Sequence, residues 1–140
     1  MRIVHSSNVL EHVPEWQRML GEMVRVLEPE VGLGYLTFTN WYSPWGGHET
    51  SPYHYLGGER AVQRYERRYG RRPKNEFGVS LFRVDIREVL DWFAAHRDVE
   101  IAWLGPRYWP QWMRWLSHVK GAREVASWNT VVIFRRRRPS

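Results

Sequence analysis

Between Thr39 and Gly58 the chain reads Thr-Asn-Trp-Tyr-Ser-Pro-Trp-Gly-Gly-His-Glu-Thr-Ser-Pro-Tyr-His-Tyr-Leu-Gly-Gly. Two histidines, His48 and His54, and one carboxylate, Glu49, stand among aromatic rings, two prolines and two Gly-Gly pairs, with neither helical nor strand periodicity. Imidazole groups exchange protons near neutral pH, and the rings of Trp41, Tyr42, Trp45, Tyr53 and Tyr55 suit the walls of a pocket for an apolar or cationic group. A binding loop is expected. Exposed rings and ordered glycines cost free energy, and a loop that only joins two elements has no need of either. The competing reading is a compact loop folded on its own side chains. The spacing His48-Glu49-x4-His54 matches no strong zinc pattern, so no metal is assigned. Just beyond the loop, Arg60, Arg64, Arg67 and Arg68 suit either an anionic group or a solvated helix face.

The elements that must position this loop follow from the apolar pattern. Ile3 to Asn8 reads as a short buried strand, apolar at Ile3 and Val4 and polar at its carboxyl end, where open α/β sheets bind ligands. Val9 to Pro14 is a turn. Trp16, Met19, Leu20, Met23, Val24 and Leu27 recur at the spacing of an amphipathic helix, which Pro29 ends. Leu33 to Thr39 is a second strand, and strand, helix, strand with short connections makes a parallel βαβ unit. Gly58 to Tyr69 reads as a basic helix, and Asp85 to Phe93 as another with Asp85 at its N-cap. Val99 to Leu104 is a third strand and Asn129 to Phe134 a final one. From Pro106 to Val119, Tyr108, Trp109, Trp112, Trp115, Leu116 and Val119 form an aromatic stripe at helical spacing, read as core or as a subunit contact.

Composition narrows the classes. At 140 residues the chain is read as one domain, and no apolar run approaches the roughly 18 residues of a membrane span. It has no cysteine, which removes thiol catalysis and disulfides; nothing calls for an oxidising compartment, so a cytoplasmic location is expected. The net charge of +6 is split between the arginines of residues 60–72 and the run Arg135 to Arg138, a distribution that argues against a nucleic-acid partner.

Val4-His5-Ser6-Ser7-Asn8-Val9-Leu10-Glu11-His12-Val13, then Trp16, then Met19 to Leu27 and Pro29, resembles the fourth strand and following helix of class I S-adenosylmethionine-dependent methyltransferases, in particular the small-molecule group labelled methyltransferase type 11. The family's Pro-Gly-Gly turn is here Pro29-Glu30-Val31-Gly32. The resemblance implies an α/β, partial Rossmann-like methyltransferase fold: strands four to seven with flanking helices and a substrate-side insertion at residues 40–84. It forms a single truncated domain over residues 1–134, followed by a basic solvated tail at 135–140. It implies S-adenosylmethionine as cofactor, with Ser6, Ser7, Asn8, Leu10 and His12 beside it. The acceptor would be a small molecule or lipid-like group held by Asn40, Trp41, Tyr42, Trp45, His48, Glu49, Tyr53 and Tyr55. For a hydroxyl acceptor, His12, His48 or His54 would serve as base, with Glu49 as orienting partner.

The family's Gly-x-Gly-x-Gly turn and ribose-binding acid have no counterpart in the chain, since Gly32-x-Gly34 precedes a strand instead of following one. A sheet begun at strand four exposes an edge, so a homodimer or a complementing N-terminal half is the expected partner. The rival reading is a non-catalytic remnant that binds a partner chain through its aromatic loop and open sheet edge.

Overall fold

The computed structural model describes residues 1–138. Alternation of buried and half-buried residues builds a mixed α/β fold on a four-stranded sheet. The strands are β1 (Ile3–Ser7), β2 (Leu33–Thr39), β3 (Val99–Pro106) and β4 (Asn129–Arg136), and the helices are α1 (Trp16–Val26), α2 (Gly58–Tyr69), α3 (Ile86–Ala95) and α4 (Ala122–Ala126). Their order across the sheet is β1-β2-β4-β3. β1 runs parallel to β2 in the register Ile3↔Leu33 to Ser7↔Thr37, while β4 is antiparallel to both its neighbours. Strands β1, β2 and β3 therefore point the same way. The βαβ unit expected from the sequence is present, with β2 and α2 at the expected limits.

Period-2 side chains put Leu36, Phe38, Val132 and Phe134 on one face of the sheet, fully buried. Against them pack Leu20, Met23 and Val24 of α1 and Val89 and Phe93 of α3, with the Phe93 and Phe134 ring centroids 5.1 Å apart. Asp85 caps α3 as expected, its Oδ1 accepting from Glu88 N at 2.9 Å. A second carboxylate completes that helix end: Glu124 of α4 accepts from Ile86 N and Arg87 N, each at 2.9 Å. Burial holds the Glu124 carboxyl above its ordinary value.

Three expectations are corrected. The first strand is not buried: β1 is the sheet edge, with Ile3 72% exposed and His5 exposed, because no strand lies beyond it among the described residues. The stripe from Pro106 to Val119 is neither one helix nor core. β3 continues to Pro106, Pro110 precedes a 3-10 segment at Gln111–His118, and Tyr108, Trp112 and Trp115 stand exposed. The final strand runs on to Arg136, so Arg135 and Arg136 belong to the sheet rather than to a solvated tail. Arg136 Nη1 donates to the carbonyl of Arg25 at 3.1 Å and to that of Leu27 at 3.5 Å, serving acceptors that the end of α1 leaves unpaired. Of the expected tail, Pro139 and Ser140 lie outside the described residues.

Candidate functional site

Parallel strands β1 and β2 end side by side, and their carboxyl ends carry polar groups that interlock. Thr37 Oγ1 donates to Ser7 Oγ at 3.1 Å, and Arg107 Nη1, just past β3, donates to Ser7 Oγ at 3.1 Å. Asn8 adopts φ 53, a left-handed conformation that asparagine tolerates; its N–H donates to the Thr37 carbonyl at 2.9 Å and its Oδ1 accepts from Asn129 Nδ2 at 2.5 Å. Ser6 is buried and its hydroxyl has no partner. Leu10 is wholly buried in the core beneath this edge.

The chain leaves β1 through a 3-10 turn, Leu10–His12, which turns Glu11 inward. Glu11 is 1% exposed. Its Oε1 accepts from Thr39 N at 3.1 Å, at the end of β2, while Oε2 is buried without a partner. His12 donates from Nδ1 to the Ser80 carbonyl at 2.5 Å, which in the neutral ring places the lone pair on Nε2. His48 arrives from the loop with φ 49, and its ring meets that of His12 edge-on at 5.4 Å between centroids. One ligand-type atom from each of Glu11, His12 and His48 lies within 4.8 Å of the others. Burial pushes the His48 imidazole below its ordinary value, with Glu11 opposing that shift and His12 adding to it.

The other loop residues are dispersed. His54 is buried, donating from Nε2 to the Ser43 carbonyl at 3.1 Å, with its ring 5.2 Å from Trp41 and 4.1 Å from Tyr55. Desolvation lowers its pKa as well. Gly47 is needed there because a Cβ would stand 2.5 Å from His54 Cβ. Trp41 is buried against His54 and Phe77, and Asn40 is fully buried, donating to the Glu124 carbonyl. Backbone bonds such as Gly46 N to the Ser43 carbonyl and Thr50 N to the Gly47 carbonyl hold the loop in successive turns. The loop folds on Trp41 and His54, as the compact reading expects, and brings His48 against His12.

Glu49 turns away to accept from Asn75 N and Nδ2 at 3.3 and 3.0 Å; these bonds, with one from its own backbone, keep its carboxyl below the ordinary value against the opposing effect of desolvation. Arg83 covers the Tyr42 ring at 5.1 Å, and Arg64 covers Tyr53 at 4.0 Å. Tyr55 donates from its hydroxyl to the Tyr42 carbonyl at 2.9 Å. Trp45 is exposed and meets Trp128, which in turn meets Trp109. The structure brings His12 and His48 together and leaves His54, Glu49 and Tyr53 elsewhere. Sequence reasoning missed Glu11, Thr37, Arg107 and Asn129. The polar-end rule applied to β1 would have found Thr37 had it been applied to β2.

Comparison with known proteins falls on this frame. The chain is 48% identical over 128 residues to a protein of Mycobacterium sp. (strain KMS) named "uncharacterized methyltransferase", a stretch that is 91% of this chain and 50% of the relative. Proteins of Mycobacterium leprae (strain TN) and Mycobacteroides abscessus, also named uncharacterized methyltransferases, are 47% and 44% identical, each over 132 residues, 94% of this chain and 48% and 50% of the relatives. The chain spans about half the length of the curated relatives it matches. No protein-family model matches it. No helix among the described residues is long and apolar enough to cross a membrane.

Proposed function

We propose that this chain is part of a class I methyltransferase that moves a methyl group from S-adenosylmethionine to a small-molecule or lipid-like acceptor. The observation that carries the reading is the 48% identity to a protein named a methyltransferase over 91% of the chain. The sheet supports it, since three co-directional strands with one antiparallel strand inserted before the last suit strands four to seven of the resembled fold.

The carboxyl edge of β1 fits the methionine end of the cofactor. Ser6 offers a buried, unpartnered hydroxyl, and Ser7 and Asn8 are held in place by Arg107, Thr37 and Asn129. The ribose and adenine contacts are assigned to no residue of this chain. When bound, S-adenosylmethionine supplies an electrophilic methyl group. Methyl transfer gains most from alignment and from excluding water, and the rigid ends of β1 and β2 supply the first. His12 and His48 stand next to each other near that edge, and either takes the proton of a hydroxyl acceptor. Their neighbour Glu11 stabilises the resulting positive charge.

Calorimetric titration of S-adenosylmethionine into the 140-residue chain, with solution mass measured on the same sample, tests the reading. Saturable binding, weakened at least tenfold by Asn8→Ala, is expected; a folded chain that binds no cofactor, alone or joined to the remaining half of a mycobacterial relative, overturns it. The rival reading rests on one observation, the open edge of β1 with Ile3 exposed, which suits pairing with another chain.

A further inference from the structure

We propose that Glu11, His12 and His48 bind one divalent transition-metal ion of the zinc type. Two imidazoles and a carboxylate form a donor set that such ions prefer, and three protein ligands leave a position for water or a substrate oxygen. The three atoms lie within 4.8 Å of one another, and ligands of a single Zn2+ stand roughly 3.4 Å apart for bond lengths near 2.1 Å. A contraction of at most about 1.4 Å closes the site, and rotation about the side-chain torsions supplies it.

The geometry favours an ion over a merely packed cluster. Glu11 is 1% exposed, and only one of its oxygens is used, on Thr39 N; Oε2 is buried and unpartnered. His48 Nε2 is likewise buried and unpartnered. Two buried polar atoms without partners, on two residues of this one cluster, each carry a desolvation cost that a cation bound there removes. His12 is already set in the manner of a metal ligand, since its Nδ1–H is donated to a backbone carbonyl and its Nε2 lone pair is free.

Metal binding stands independently of the cofactor. Its use in catalysis rests on the methyl-transfer reading, which it deepens: with the ion bound, His12 and His48 are ligands instead of bases, and an acceptor hydroxyl on the open position loses its proton to solvent more readily than a free one.

The test is titration of Zn2+ into the untagged, metal-stripped 140-residue chain by calorimetry, with Co2+ as a spectroscopic probe read by its visible d–d absorption. One equivalent is expected, with affinity at least tenfold weaker in His48→Ala, retained in His48→Cys, where a thiolate replaces the imidazole, and unchanged in the control His96→Ala. Circular dichroism establishes that each variant is folded, and His48→Ala with His48→Cys decides the matter if His12→Ala is not. Absence of saturable binding, or binding that His48→Ala leaves unchanged, overturns the proposal and leaves the cluster a merely packed Glu-His group. S-adenosylmethionine binding, measured separately with and without Zn2+, keeps failure of the metal site distinct from failure of the methyl-transfer reading.

Discussion

At the scale of single residues, His54 shows how a group suited to chemistry is instead used to hold a loop. It is 1% exposed, and desolvation drives its pKa below the ordinary 6.5. The sign of the consequence follows. The unfolded chain takes up a proton as pH falls through about 6.5 and the native chain does so only lower, so the contribution to stability is complete above 6.5 and is lost below it. Urea midpoints measured from pH 7.5 down to pH 5 should fall for the parent and fall less steeply for His54→Gln; equal slopes would show that His54 is not the group responsible. His54 was legible as a functional type because its ring sits among aromatic and glycine residues, yet type alone does not say whether a ring faces solvent or Gly47. Glu11 went unread for the opposite reason. Its neighbours, Thr39 and His48, are far along the chain, and only the return of the loop over β2 brings them to it.

At the scale of elements, punctuation decided what the sequence disclosed. β2 and α2 were legible to the residue because Gly32 and Asn40 bracket the first, and Gly57 and Gly70, both with positive φ, bracket the second. The segment 106–119 carried α-helical spacing but forms only a 3-10 segment at Gln111–His118, since a stripe of rings records periodicity and not what covers it. The N-terminus of α3 was half legible: Asp85 is adjacent in sequence, whereas Glu124 reaches it from α4. Two carboxylates on one helix end predict separable costs. Asp85→Ala should lower stability by about 1 kcal/mol through the lost cap, and Glu124→Ala by a comparable amount of about 1–3 kcal/mol because two charge-assisted bonds to backbone N–H groups go at once. Thermal or urea unfolding of the two variants measures this; a Glu124→Ala chain as stable as the parent would show that solvent replaces the second carboxylate at no cost.

At the scale of the whole chain, β1 is a sheet edge among the described residues. Its outward groups pair with no strand among the described residues, and Ile3 adds exposed apolar surface. Sedimentation should show association that rises with protein concentration and is reduced by Ile3→Lys, which places a charge on the edge; a monomeric parent at all concentrations would remove edge pairing as the mode of partnership. The sequence made this edge legible through resemblance, while the exposure of individual β1 residues needed the sheet order. That order has a temporal side. β4 is the last strand in the chain, yet it lies between β2 and β3 and is bonded to both. Until residues 129–136 are made, the βαβ unit and β3 have no shared backbone partner, and the central apolar pair Val132 and Phe134 is missing from the core. Folding of this sheet is therefore a late event in synthesis, governed by contacts of long sequence separation. A nascent chain halted before residue 129 would hold the β1–β2 pair and an unpaired β3, a species for chaperones and proteases to recognise.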